Sequence, residues 1–178
     1  MKVEVGNMYQ VGDWIFYGNI GACQVIDIAA RRIPGTEGEI LYYTLLPVND
    51  SCSISTPVLN GKVFMRPLIS KEQALTLIDS IPQITVQAYY NPVLRQLSEH
   101  YEQALRSHDC LSLIEMTMSI HRKEEEARQN KKKLGAVDEK YMKRAEGLLF
   151  GELAVALGIT SGDVPVYIES RLKEMNHS

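Results

Sequence analysis

Few residues in this chain have the types and spacing that chemistry needs. His108-Asp109-Cys110 brings together a base, a carboxylate and a thiol. A nucleophile needs its base within hydrogen-bond reach in space, and consecutive residues at a helix cap point in different directions. The triplet therefore reads as a helix cap followed by a buried cysteine. His121 has Glu124 and Glu125 three and four residues on, the spacing of one helical face. One imidazole and a carboxylate fall short of a three- or four-ligand metal site, so a helical hydrogen bond or ion pair is expected. His100 and His177 have no further ligand type at those offsets and read as surface residues. Gly18 and Gly21 flank Asn19 with no helix to follow, so they do not build a phosphate loop. No enzyme signature results, and no cofactor, metal or small-molecule substrate is expected.

Two groups of cations remain. Arg31-Arg32 ends a strand in a stretch, 1–70, whose other cations are Lys2, Lys62 and Arg66. An exposed arginine pair at a sheet edge can anchor a protein contact; the plainer alternative is solvated surface. The second group is Lys140, Lys143 and Arg144, with Lys131, Lys132 and Lys133 upstream. It can line a phosphate-facing surface or form the polar side of amphipathic helices.

The elements that must position these groups change type near residue 67. Before it the chain is rich in Val, Ile, Tyr, Gly and Pro; after it Leu, Glu, Lys, Ala and Met dominate. That shift predicts a β domain followed by an α domain. Strands are expected at about 11–17, 22–30, 40–46, 52–56 and 62–66, with Arg31 and Arg32 just after the second. Gly18-Asn19-Ile20-Gly21 and Ile33-Pro34-Gly35-Thr36-Glu37-Gly38 are turns. Short strands so closely spaced suit a small, bent barrel, which removes exposed edges.

Ser70 with Gln73 is a capping-box pattern opening a helix that Pro82 stops. Residues 83–90 form a connector with two exposed-looking tyrosines, Tyr89 and Tyr90. Asn91-Pro92 is expected to start the next helix, as cap and first position. Asp109 caps a third helix that runs into the charged stretch 122–133, where pairs such as Glu124 with Arg128 suit a solvated face. Asp138 is expected to start a fourth, central helix with Met142, Ala145, Leu148 and Leu149, and Gly158 to cap it. Pro165 opens the last.

Net charge is −3 over 178 residues, which argues against an affinity built mainly on phosphate neutralisation. Three widely spaced cysteines, Cys23, Cys52 and Cys110, suit buried reduced thiols rather than a disulfide framework or zinc site. No apolar run is long enough to span a bilayer, and the N-terminus lacks a signal-peptide core. A cytoplasmic protein is expected, with residues 1–7 either an extension or a mis-called start before Met8.

Four segments taken together resemble one family. YQVGDWIFYGNIGACQVIDI, then YYTLL, then a strand ending in Thr56-Pro57-Val58, then RPLISKEQALTLI, are similar to the CarD family of bacterial transcription regulators. The same β module occurs in transcription-repair coupling factor. The run KRAEGLLFGELAVALGI resembles that family's closing helix, so the likeness covers about 8–160. It implies an α+β protein of two domains: a small Tudor/SH3-like β barrel over 8–67 and an all-α compact helical domain over 70–178. The barrel would bind the β subunit of RNA polymerase, and the helical domain would meet promoter DNA at the upstream edge of the melted bubble. Arg31, with Arg32 and Ile33 beside it, matches the family's basic polymerase contact; Ser55 stands where a second, often basic, contact lies. Family members insert a tryptophan wedge into the minor groove, and apolar wedges hold distorted DNA. The matching place here is Leu94, followed by Arg95 but then by Gln96, Leu97 and Glu99 where cations are usual. Tyr89 and Tyr90 could stack on bases, and Lys140, Lys143 and Arg144 could meet phosphate.

Overall fold

The computed structural model describes residues 9–59 and 61–176. The expected extension 1–7, Met8 and His177 lie outside them. The fold is α+β: five antiparallel strands, then five α-helices. The chain divides into two compact units between Leu68 and Ile69. Among the described residues no single helix is long and apolar enough to cross a membrane.

The first unit is a sheet of β1 (Trp14–Tyr17), β2 (Gly21–Arg32), β3 (Glu39–Pro47), β4 (Ile54–Pro57) and β5 (Met65–Pro67). Its order is β4-β3-β2-β1-β5, so the last strand returns beside the first. Strand alternation sends Ile15, Tyr17, Cys23, Val25, Tyr43 and Leu45 into one core, each fully or nearly fully buried. The tight turn after β1 depends on Gly18, at φ +42°, where a Cβ would lie 2.8 Å from Val63 Cγ1. Gly18 N–H donates to the Phe64 carbonyl at 2.8 Å, which ties that turn to the chain entering β5.

One correction matters for function. Arg31 and Arg32 do not follow the second strand; they are its last two residues. Pairing with β3 continues through Arg31↔Ile40 to Arg32↔Glu39. The register shifts between Val25 and Asp27, so Ile26 bulges out and the alternation restarts beyond it.

The second unit holds α1 (Lys71–Ser80), α2 (Leu94–Arg106), α3 (Cys110–Gln129), α4 (Ala136–Leu157) and α5 (Val164–Asn176). The capping box at Ser70 forms as expected: Ser70 Oγ accepts from Gln73 N–H, and Gln73 returns its carbonyl oxygen to Ser70 N–H. Asp109 caps α3 by accepting from Ser112 N–H at 3.1 Å. Gly158 ends α4 in the left-handed region at φ 70°. α4 is central and packs on α1, α2, α3 and α5. Its Ala145, Leu149, Leu153 and Ala154 are buried, and each fully buried leucine contributes about 1.5–3 kcal/mol.

Two helix starts differ from expectation. Asn91 does not cap α2. Its side-chain oxygen accepts from Val93 N–H at 2.9 Å in a local turn, and the helix begins only at Leu94. Asp138 does not open α4, which starts at Ala136; the aspartate sits inside the first turn, buried. Cys52 is also exposed, whereas Cys23 and Cys110 are buried free thiols as expected.

Candidate functional site

In the sheet unit, cross-strand partners point to the same face and neighbours along a strand point to opposite ones. Tyr43, Leu45 and Ile54 point into the core. Tyr42 and Thr44 therefore point outward, with their partners Ala29 and Asp27 on β2 and Pro57 and Ser55 on β4. Arg31, two residues beyond Ala29, joins the same outward face. The Arg31 guanidinium lies 5.6 Å from the Tyr42 ring centroid. Arg31, Tyr42 and Ser55 thus share one surface, with Tyr42 between the other two. The ring attracts the cation and limits its freedom, and leaves its donor edge available to a carboxylate.

Arg32 is on the opposite face, across from Glu39. The expected arginine pair is therefore two single arginines facing different ways. Ile33 is half-buried in the turn after β2, and its carbonyl accepts from Thr36 N–H and Oγ1. Tyr42 was not singled out from the sequence. Its signal was the run LYYTLL, where a buried Tyr43 makes Tyr42 the outward residue.

In the helical unit Tyr90 and Leu94 line one cleft, and Lys140 and Arg144 both lie against Tyr141. Leu94 is 62% exposed at the start of α2, next to Val93 at 49%. Arg95 pairs with Glu99 at 3.0 Å on the same helix. Arg144 reaches Glu102 of α2 at 2.6 Å, and Tyr141 donates to the same carboxylate at 2.9 Å. The Arg144 hydrogen bond, with Tyr141 assisting, holds Glu102 below the usual carboxylate range against the opposing effect of burial. Lys140 and Arg144 also lie 5.7 and 5.3 Å from the Tyr141 ring centroid. Lys143 is exposed.

The two connector tyrosines are engaged by the protein itself. Tyr89 stacks on His100 with centroids 3.8 Å apart, and burial lowers the imidazole pKa of His100. Tyr90 donates to Glu126, and that bond pushes its phenol up to about 12. The Lys123 ammonium lies 4.9 Å from the Tyr90 ring centroid. Lys123, expected on a solvated face, is instead buried and paired with Asp138 at 2.6 Å. Tyr101 donates to the same carboxylate oxygen at 2.6 Å, and its own pKa is raised chiefly by burial. His121 Nδ1 lies 3.3 Å from Glu124, the helical hydrogen bond or ion pair that its spacing implies.

These contacts border a cleft of about 570 Å³ between the start of α2, the end of α3 and the α3–α4 turn. Tyr90, Leu94, Leu97 and Leu134 supply apolar walls, and Lys132 and Lys133 stand on its rim. Among the described residues no group of three His, Cys, Asp or Glu side chains could hold a metal ion. Comparison with protein-family models and with curated proteins gave no match to this chain.

Proposed function

We propose that this chain is a non-enzymatic transcription regulator that binds the β subunit of bacterial RNA polymerase through its sheet unit. By this reading it modulates the stability of the promoter open complex, with the helical unit near DNA at the upstream bubble edge. The resemblance to the CarD family suggests the partner. The observation that carries the reading is the shared outward face of Arg31, Tyr42 and Ser55, an arginine and a tyrosine being the side chains that dominate protein contacts. The strand order, with β5 returning beside β1, suits the small Tudor-like barrel that the resemblance implies. A protein that prefers the open promoter complex shifts the closed–open equilibrium by its differential affinity.

A second reading has its own support. In a polymerase-binding adaptor that has given up DNA, cations at the DNA end would be committed to internal partners, as Arg144 is to Glu102. Pull-down of the β subunit tests the shared core of both readings. Arg31→Glu is expected to weaken capture strongly with the fold intact by circular dichroism; unchanged capture would refute the proposed face. A salt titration of forked promoter DNA in the presence of polymerase separates the two, because phosphate contact makes affinity fall with salt.

A further inference from the structure

The cleft beside Leu94 has two properties that seldom occur together on a fully solvated face. Its walls are apolar: Leu94 and Tyr90 are 62% and 59% exposed, and Leu97 and Leu134 lie behind them. Its rim carries Lys132 and Lys133, both exposed and without an ion pair to any described residue. The other charges that line it are the Lys123–Asp138 pair and the Glu126 carboxylate, which accepts from Tyr90 and keeps its charge, so the lining carries more ammonium groups than carboxylates.

We infer that this cleft is a docking site for a short acidic segment of a partner protein, taking one apolar side chain between Leu94, Leu97 and Leu134 while flanking carboxylates meet Lys132 and Lys133. Charge complementarity selects the occupant. An exposed ammonium pair beside an apolar hollow suits a ligand that is anionic at its flanks and apolar at its centre. A nucleic-acid strand would need cations along its whole path. Here the carboxylates of Glu126 and Asp138 interrupt the cations of the lining. Two ammonium groups suffice for a peptide. The volume, about 570 Å³, accommodates a leucine or phenylalanine side chain with adjoining backbone.

The inference goes beyond polymerase binding and does not depend on the Arg31 face. Its test is fluorescence anisotropy of the full chain with a fluorescein-labelled peptide in which Leu-Phe is flanked by three Asp or Glu residues on each side. A peptide with Lys in place of every acid is the control. Saturable binding of the acidic peptide is expected, falling about tenfold in Lys132→Glu/Lys133→Glu and in Leu94→Asp, a loss of about 1.4 kcal/mol. All three positions are exposed, so the variants should fold, which circular dichroism verifies. Arg31→Glu should leave peptide binding unchanged, so failure here and failure of the polymerase reading are distinguishable. No saturation at millimolar peptide, or binding indifferent to these substitutions, overturns the inference. So does forked promoter DNA binding with the same variant sensitivity while the peptide does not bind.

Discussion

Replacing Asp138 by alanine should destabilise the helical unit by about 4 kcal/mol, and the reason is visible in two contacts and a helix position. Asp138 Oδ1 accepts from Lys123 Nζ at 2.6 Å and from Tyr101 Oη at 2.6 Å, and the two charged side chains are 7% and 6% exposed. Removing one member of a buried pair leaves the other charge uncompensated, at a cost of about 3–5 kcal/mol. Tyr101, itself fully buried, also loses its acceptor, which adds about 1–3 kcal/mol where the site cannot admit water. An acid in the first turn of α4 further favours the helix dipole by about 0.3–1 kcal/mol. These overlap, and about 4 kcal/mol is their combined scale. Removing both charges is different. Lys123→Met keeps the buried stem, so the double variant loses the Tyr101 acceptor, the dipole effect and the Lys123 contact with the Tyr90 ring, together about 2 kcal/mol. Urea unfolding followed by circular dichroism at 222 nm reads this, because all five α-helices belong to the unit. With a slope of about 2 kcal/mol/M the single variant's midpoint should fall by about 2 M and the double's by about 1 M. A single variant costing under about 1 kcal/mol, or a double variant no more stable than the single, refutes the reasoning.

Two further outcomes follow from the same geometry. Burial pushes the Cys23 thiol up to about 11, and Cys110 is buried and donates to Glu152 at 3.0 Å, while Cys52 is exposed; a disulfide reagent at pH 8 should therefore modify one thiol quickly in the native protein and all three in denaturant. Glu102 is held below its ordinary value of 4.5 by Arg144, so its contribution is present above that pH and lost as pH falls through the lower folded-state value; Glu102→Gln should flatten this acid limb of the helical unit's stability, measured by urea unfolding between pH 5 and about pH 3.

What was legible in the sequence was local. The Ser70 capping box, the Asp109 cap and the Gly158 stop each depend on groups within a few residues, and each forms where its residues stand. The second helix start was misread because Asn91-Pro92 offers two local solutions of similar cost. A cap would place helix immediately, whereas a turn bonding Asn91 to Val93 N–H leaves Val93 extended. The arginine pair was misread for a related reason. Whether Arg31 and Arg32 share a direction depends on whether the strand continues, and that is decided by β3, through Arg32↔Glu39.

The charged residues show where sequence reasoning fails and why. A cation's worth to a ligand depends on what already holds it, and the holder is often far along the chain. Lys123 stands in a run that reads as a solvated helix face, but its partner Asp138 is fifteen residues on, across the α3–α4 turn. Arg144 belongs to an apparently basic cluster, but Glu102, forty-two residues earlier, accepts its hydrogen bond. Counting lysines and arginines near Leu94 therefore overstates the positive surface. Once the internal pairs are removed, Lys132 and Lys133 remain beside an apolar hollow, and Lys140 and Lys143 are exposed on α4. Arg31 differs from Arg144 in this respect: it lies over the face of Tyr42 and has no ion pair to any described residue, so reversing its charge removes no internal ion pair.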